Sequence, residues 1–176
     1  YHLLEGRIYA IATDGTVVAV RADTGEIAWI RKLAEETAAL CPPVVYRTQE
    51  MNAVAFARLD DVVFLDPRTG APLKVLRLSQ STVSPVAVAP GRVFVVQPNG
   101  RVAAYRMSDG YIFWRAAFED QFTIPPVYAP AINAVVAVDE VGLVAGLRNE
   151  HRVEDRVIFR QHLRSEPSGQ LAFDGD

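Results

Sequence analysis

Residues 14–29 read DGTVVAVRADTGEIAW, and residues 99–114 read NGRVAAYRMSDGYIFW. The two segments place a Gly, an Ala, a second Gly and a Trp at the same offsets, 85 residues apart. Weaker copies lie between and after them, because Gly70 follows Gly25 by 45 residues and Gly142 follows Gly100 by 42. A period of this length is typical of repeat architectures, in which each repeat packs on its neighbours.

Prolines mark the same period. Pro43, Pro85 and Pro126 are spaced 42 and 41 residues apart, and each precedes a short apolar run. Proline is tolerated at the first residue of a strand, where its missing N–H costs least. The prolines therefore predict where a strand begins in successive repeats.

The apolar runs are four to eight residues long, rich in Val, Ile, Phe and Tyr, and bounded by Gly, Pro, Asp or Asn. Such runs predict β-strands. Asp14-Gly15 and Asn99-Gly100 are two-residue hairpin signals, and Gly25, Gly70 and Gly110 stand where turns need a positive φ. Each repeat therefore predicts four short strands joined by tight turns, which is a propeller blade. The predicted fold is an all-β β-propeller of four-stranded antiparallel blades, with about four blades present.

The predicted domain is a single partial β-propeller over residues 1–176. Its repeats span residues 1–40, 41–82, 83–123 and 124–164, and residues 165–176 start the next blade. We expect the first blade to lack its inner strand, which residues 171–173 would supply. Helix is expected only over residues 32–40 and, with less support, 149–163. The last repeat carries about four extra residues between Leu147 and Asp155, which belong in a turn.

The composition fits a folded domain. Half of the residues are hydrophobic and 22% are charged, which excludes a disordered tail. The net charge of -3 gives no reason to expect a nucleic acid partner. No apolar run approaches the roughly 18 residues that cross a bilayer. Cys41 is the one cysteine, so an internal disulfide and a cysteine metal cluster are excluded, and a small buried apolar role is expected.

The spacing Ala19…Gly25…Trp29, with its copy Ala104…Gly110…Trp114, resembles the repeat motif of the PQQ-like, or quinoprotein-dehydrogenase-like, β-propellers. That family's pattern reads Ala-x-Asp-x-x-x-Gly-x-x-x-Trp. Arg21 and Arg106 replace the Asp in the two strong copies, and Asp66 keeps it in the second repeat.

The resemblance implies that the Trp packs between neighbouring blades. The residues expected in this blade-docking role are Gly25, Trp29, Gly70, Gly110, Trp114 and Phe159. An indole on an outer strand is wide enough to reach the next sheet and to bury a large apolar area. The alternative is that these aromatic rings stack on a ligand.

No catalytic, cofactor-binding or metal-binding residue is predicted, and no cofactor is expected. His2, His151 and His162 lack metal-type spacing. Glu35-Glu36, Asp60-Asp61 and Asp139-Glu140 are adjacent pairs, and adjacent residues of a strand point to opposite faces. They are interpreted as turn residues and solvated charges. The quinoprotein dehydrogenases of the resembling family use an eight-bladed ring, calcium, a catalytic Asp and usually a disulfide of adjacent cysteines, whereas this chain has one cysteine.

Arginines recur every four residues near the end of the chain, at positions 148, 152, 156, 160 and 164. Acidic residues are interleaved with them, which favours a solvated face. The alternative is a docking surface for an acidic partner, and Arg148, Arg152 and Arg156 are the candidate contacts.

Two functions are compatible with these patterns. The first is a non-catalytic propeller scaffold that binds other protein subunits in an extracytoplasmic or envelope-associated complex. It would resemble the propeller lipoprotein of the bacterial outer-membrane assembly machinery, or the propeller sensor domains of other envelope proteins, which implies a periplasmic or extracytoplasmic location. The second is a segment of a PQQ-dependent dehydrogenase.

Three ring arrangements remain open: part of a larger propeller of seven or eight blades, pairing with a second chain, or a small closed ring. We favour the first.

Overall fold

The computed structural model describes residues 2–33, 41–49, 51–82, 84–122, 124–151, 154–164, 167 and 171. The chain divides into two compact units, Tyr1–Ser81 and Thr82–Asp176. Each unit contains two four-stranded antiparallel sheets.

Unit 1 contains sheets 1 and 2. The strands of sheet 1 are β1 (His2–Leu4), β2 (Arg7–Ile11), β3 (Thr16–Arg21) and β4 (Ile27–Lys32). The strands of sheet 2 are β5 (Val44–Arg47), β6 (Asn52–Ala57), β7 (Asp61–Leu65) and β8 (Pro72–Arg77).

Unit 2 contains sheets 3 and 4. The strands of sheet 3 are β9 (Ala87–Ala89), β10 (Arg92–Gln97), β11 (Arg101–Arg106) and β12 (Ile112–Ala117). The strands of sheet 4 are β13 (Val127–Ala129), β14 (Ala134–Val138), β15 (Leu143–Arg148) and β16 (Val157–His162). A 3₁₀ turn, Pro130–Ile132, separates β13 from β14.

Every sheet is a meander whose strands pair in sequence order. The predicted all-β fold of four-stranded antiparallel blades is confirmed. Within the described residues there is no α-helix, and thus no helix that is long and apolar enough to cross a membrane.

A β-bulge recurs between the third and fourth strands of all four sheets. The residue after the bulge is Trp29, Lys74, Trp114 or Phe159. In three sheets this large residue pairs with a small one, because Ala19, Ala104 and Gly146 stand opposite the aromatic rings. Sheet 2 differs, since two large side chains, Phe64 and Lys74, stand opposite each other. In the other three sheets the small residue leaves room for the aromatic ring, which keeps the packing dense.

The turn after the third strand has one geometry in sheets 1, 2 and 3. Gly25, Gly70 and Gly110 have φ of 74°, 68° and 76°. The N–H of each donates at 2.9 Å to the carbonyl of the residue four positions earlier. In sheet 4 the corresponding connection runs from residue 149 to 156, as the extra residues predicted, and the Arg148 N–H donates to the Arg156 carbonyl.

Three expectations need correction or lie outside the described residues. The first sheet already has its inner strand, β1, which is only three residues long and therefore shows no alternating pattern. Residues 157–162 form β16 and not a helix, because they pair with β15. Residues 34–40 of the other expected helix lie outside the described residues, as do most of residues 165–176.

Candidate functional site

Aromatic side chains of sheet 1 dock on a turn of sheet 2 within unit 1. The Trp29 Nε1–H donates to the Pro67 carbonyl at 3.1 Å, and the Tyr9 hydroxyl donates to the same carbonyl at 3.0 Å. The two rings lie 5.9 Å apart between centroids. The indole covers Gly70 so closely that a methyl group there would lie 2.7 Å from Trp29 Cδ2. Gly70 thus meets two demands, a positive φ and an absent side chain.

Burial raises the pKa of Tyr9 to about 12. Its phenol stays protonated and keeps donating to Pro67. At the edge of the same contact, Arg68 Nε donates to Glu5 Oε2 at 2.6 Å. Arg68 is largely exposed, so this ion pair contributes little compared with the aromatic packing.

Trp114 is buried within unit 2 between sheets 3 and 4. Its Nε1–H donates to Asn149 Oδ1 at 3.4 Å, and its ring lies 6.0 Å from that of Phe94. The Arg156 guanidinium covers the indole at 4.6 Å from the ring centroid. In unit 2 the Asn149 side-chain oxygen therefore takes the role that the Pro67 carbonyl has in unit 1, and the Arg156 guanidinium adds a cation over the ring.

The remaining candidates for blade docking have open surroundings. A methyl group at Gly25 would meet no atom within 4 Å, so only the positive φ requires glycine there. Gly110 is half-buried in the equivalent turn. Phe159 covers Gly146 of its own sheet and remains 39% exposed. Of the six predicted docking residues, Trp29 and Gly70 contact each other, and Trp114 contacts sheet 4.

The three candidate partner-binding arginines occupy different settings. Arg148 ends β15 and is exposed. The guanidinium of Arg156 donates to the carbonyls of Arg148 and Glu150 at 2.7 and 2.9 Å while it covers Trp114, and burial lowers its pKa. Arg152 lies outside the described residues. Arg148 and Arg156 lie on opposite sides of the connection between β15 and β16, and Arg148 is exposed whereas Arg156 packs on Trp114.

Ligand-type side chains are scattered. Among the described residues, no group of three His, Cys, Asp or Glu side chains is placed to bind a metal. Cys41 is half-buried, and burial raises its pKa to about 11. His151 packs on Phe113 at 5.1 Å between centroids.

Two buried acidic residues were missed by the sequence interpretation. Asp61 of sheet 2 is buried and pairs with the Arg58 guanidinium. Asp139 is fully buried, and it lines a cavity in unit 2 together with Glu119, Asp120 and Arg160. Its Oδ1 accepts the N–H groups of Val141 and Leu143, which is the turn role expected of the pair Asp139-Glu140. Burial distinguishes Asp139 from exposed Glu140. The available signal was its position directly after a buried strand.

The family model described as outer membrane protein assembly factor BamB matches residues 2–84 and also residues 58–152. The chain belongs to this family. The match confirms the PQQ-like repeat family that the sequence motifs indicated. No curated protein sequence matches the chain significantly.

Solved structures of other proteins are similar in fold at low identity. BamB from Moraxella catarrhalis has a TM-score of 0.68 and 20% identity, over 91% of this chain and 46% of that chain. The computationally designed Ika8 protein has a TM-score of 0.73 and 15% identity, over 98% and 51%. The Pan2 WD40 domain of Neurospora crassa has a TM-score of 0.67 and 12% identity, over 90% and 47%. This chain thus spans about half the length of each.

Proposed function

We propose that the chain is part of a non-catalytic β-propeller scaffold that holds protein subunits together in a periplasmic or envelope-associated complex. The observation that carries this proposal is the family match over residues 2–152 to an outer membrane protein assembly factor. The fold supports it, because a propeller presents its turns at the ends of rigid sheets, where binding residues concentrate. Arg148 and Arg152 are the proposed partner contacts. Arg156 would act mainly by holding the turn on Trp114.

We further propose that these four blades belong to a larger ring. Two open docking positions support this idea. Phe159 occupies the Trp position of sheet 4 and is 39% exposed, while the Gly25 turn carries no packed aromatic ring. In unit 1 the equivalent partners, Trp29 and Gly70, are in contact. Relatives of about twice the length have room for the further blades that would cover both positions. In such a ring, all six predicted docking residues would serve the same packing role.

The first experiment is co-purification of the protein, expressed at full length in its source organism, with the outer-membrane assembly machinery. Native mass spectrometry then gives the stoichiometry. We expect a defined complex that Arg148→Glu weakens by about tenfold, as expected when a rim ion pair becomes repulsive. Arg115→Glu is the matched control, because Arg115 is also exposed on a strand of unit 2. A wild-type protein that runs free of the machinery would contradict the scaffold role.

The alternative enzymatic function has a separate test. The full-length protein is titrated with PQQ and calcium, and electron transfer to a dye is measured with alcohols and sugars as substrates. The scaffold proposal expects no cofactor-dependent dye reduction. Reduction that saturates with PQQ would support the dehydrogenase segment instead.

A further inference from the structure

The cavity in unit 2 has a volume of about 500 Å³. It lies beside the loop that leaves sheet 3, between that loop and sheet 4. Its ionisable wall residues are Glu119, Asp120, Asp139, Arg160 and His162. Three carboxylates thus face one guanidinium, so the wall is net negative and favours a cationic group.

Asp139 carries a carboxylate oxygen that the turn does not use. Oδ1 accepts from the Leu143 N–H at 2.7 Å and from the Val141 N–H at 3.1 Å. Oδ2 is buried and has no hydrogen-bond partner. An asparagine would satisfy the same two N–H groups, so turn formation does not explain the second oxygen. Buried polar atoms are nearly always paired in folded proteins.

The cation on the wall is not the missing partner. Arg160 lies over the ring of Phe118, with its guanidinium carbon 5.5 Å from the ring centroid. Within the described part of the chain, neither Arg160 nor His162 forms an ion pair with Asp139. Glu119 is exposed and Asp120 half-buried beside the same cavity.

Unit 1 shows which group occupies the equivalent position. Arg58 corresponds to Asp139, because each directly follows the second strand of its sheet and donates its N–H to the carbonyl of the residue that begins the third strand. Leu33 corresponds to Phe118, because the N–H of each donates to the carbonyl of a turn glycine. In unit 1 the Arg58 guanidinium donates to the Leu33 carbonyl at 2.7 Å.

The Arg58 guanidinium also pairs with the buried carboxylate of Asp61. Unit 1 therefore fills this location with a guanidinium held by a carboxylate and a loop carbonyl. Unit 2 has a carboxylate, Asp139, at the position of Arg58 itself, and Leu143 at the position of Asp61. A carboxylate thus stands where unit 1 has a guanidinium, and the loop residue Phe118 lines the same cavity. This strand supplies no cation to pair with Asp139.

We infer that the Asp139 cavity receives an arginine side chain from a partner protein. A guanidinium carries planar N–H donors that reach a carboxylate and a carbonyl together, and pairing with a charged group is stronger than neutral hydrogen bonding. The inference rests on the proposed scaffold function for the source of that side chain, while the cavity itself can be tested alone.

The test is an NMR titration of the full-length protein with N-acetyl-arginine amide. The control ligand is N-acetyl-citrulline amide, which has nearly the same shape and no charge. Asp139→Asn keeps the oxygen that holds the turn and replaces Oδ2 with an NH₂ group. Glu140→Gln is the matched control, because it removes the same charge from the neighbouring exposed residue.

We expect the arginine probe to shift the amide resonances around Asp139, and both citrulline and Asp139→Asn to weaken binding by about tenfold. Glu140→Gln should bind like the wild type. The inference would be overturned if both probes bound the wild type equally, or if folded Asp139→Asn bound the arginine probe with wild-type affinity. It would also be overturned if the arginine probe did not bind the wild type at all. The comparison of probes on the wild type does not depend on the variant folding. A negative titration leaves the co-purification test of the scaffold function intact.

Discussion

Replacing Gly70 by alanine tests whether the contact between sheets 1 and 2 stabilises unit 1. The added methyl group would lie 2.7 Å from two atoms of the Trp29 ring, Cδ2 and Cε3, so the indole has to move. Overpacking of this kind costs about 2 kcal/mol. A left-handed φ of 68° adds about 1 kcal/mol for a residue with a Cβ. We therefore expect Gly70→Ala to lower the free energy of unfolding by about 3 kcal/mol.

Gly25→Ala is the matched control. Gly25 occupies the same turn position with φ of 74°, but its added methyl group would meet no atom within 4 Å. Only the backbone cost remains, about 1 kcal/mol. The difference of about 2 kcal/mol between the two variants isolates the collision with the indole.

Urea unfolding followed by circular dichroism measures both variants, and Trp29→Ala completes a double-mutant cycle. In the Trp29→Ala background, Gly70→Ala should cost only the backbone contribution of about 1 kcal/mol. Equal destabilisation by Gly70→Ala and Gly25→Ala would refute the idea that the docked indole, rather than the turn conformation, constrains position 70.

Three further predictions concern single side chains. Burial raises the pKa of Tyr9 from its ordinary 10.0 to about 12. The unfolded chain therefore loses the phenol proton first, and the free energy of unfolding should fall as pH rises from 10.0 to about 12. Urea titrations across that range should show a smaller dependence of this free energy on pH in Tyr9→Phe. Burial also raises the pKa of Cys41 from 9.0 to about 11, which lowers the fraction of reactive thiolate. At pH 8, iodoacetamide should therefore alkylate the folded protein roughly a hundredfold more slowly than the unfolded chain. Equal alkylation rates would contradict this prediction. Gly146→Ala should lower the free energy of unfolding by about 2 kcal/mol, because the methyl group would collide with Phe159. Phe159→Leu should restore part of the loss, as measured by urea unfolding.

The sequence repeat predicted the four-stranded sheets well because the turn and strand signals in it are local. A turn glycine and an apolar run each depend on a few neighbouring residues, so Gly25, Gly70 and Gly110 revealed three turns of one geometry. The sequence was less informative for β16, where arginines four residues apart imitate a helical period. This segment forms a strand because its pairing with β15 is a tertiary interaction, which outweighs the local helical period of the arginines.

The candidate site depended on contacts that spacing does not encode. Trp29 could be assigned to packing, but its acceptor, the Pro67 carbonyl, belongs to a turn 38 residues away. Asp139 was grouped with Glu140 as a solvated pair, whereas the fold buries one and exposes the other. Which carboxylate of this pair is buried depends on the conformation of the turn between β14 and β15, where Asp139 accepts two N–H groups.

The shared carbonyl of Pro67 has a consequence for how far such sequences can diverge. Tyr9 and Trp29 both donate to a main-chain oxygen, which every amino acid supplies. Substitutions in the receiving turn therefore leave the acceptor in place, provided that the turn keeps its shape and position 70 stays small. Docking of sheet 1 on this turn thus depends on Gly70 and the two aromatic donors, together with Asp66, whose carboxylate accepts the Arg68 and Thr69 N–H groups and holds the turn. Structures with 12–20% identity retain the same architecture, as expected for contacts that depend on the backbone.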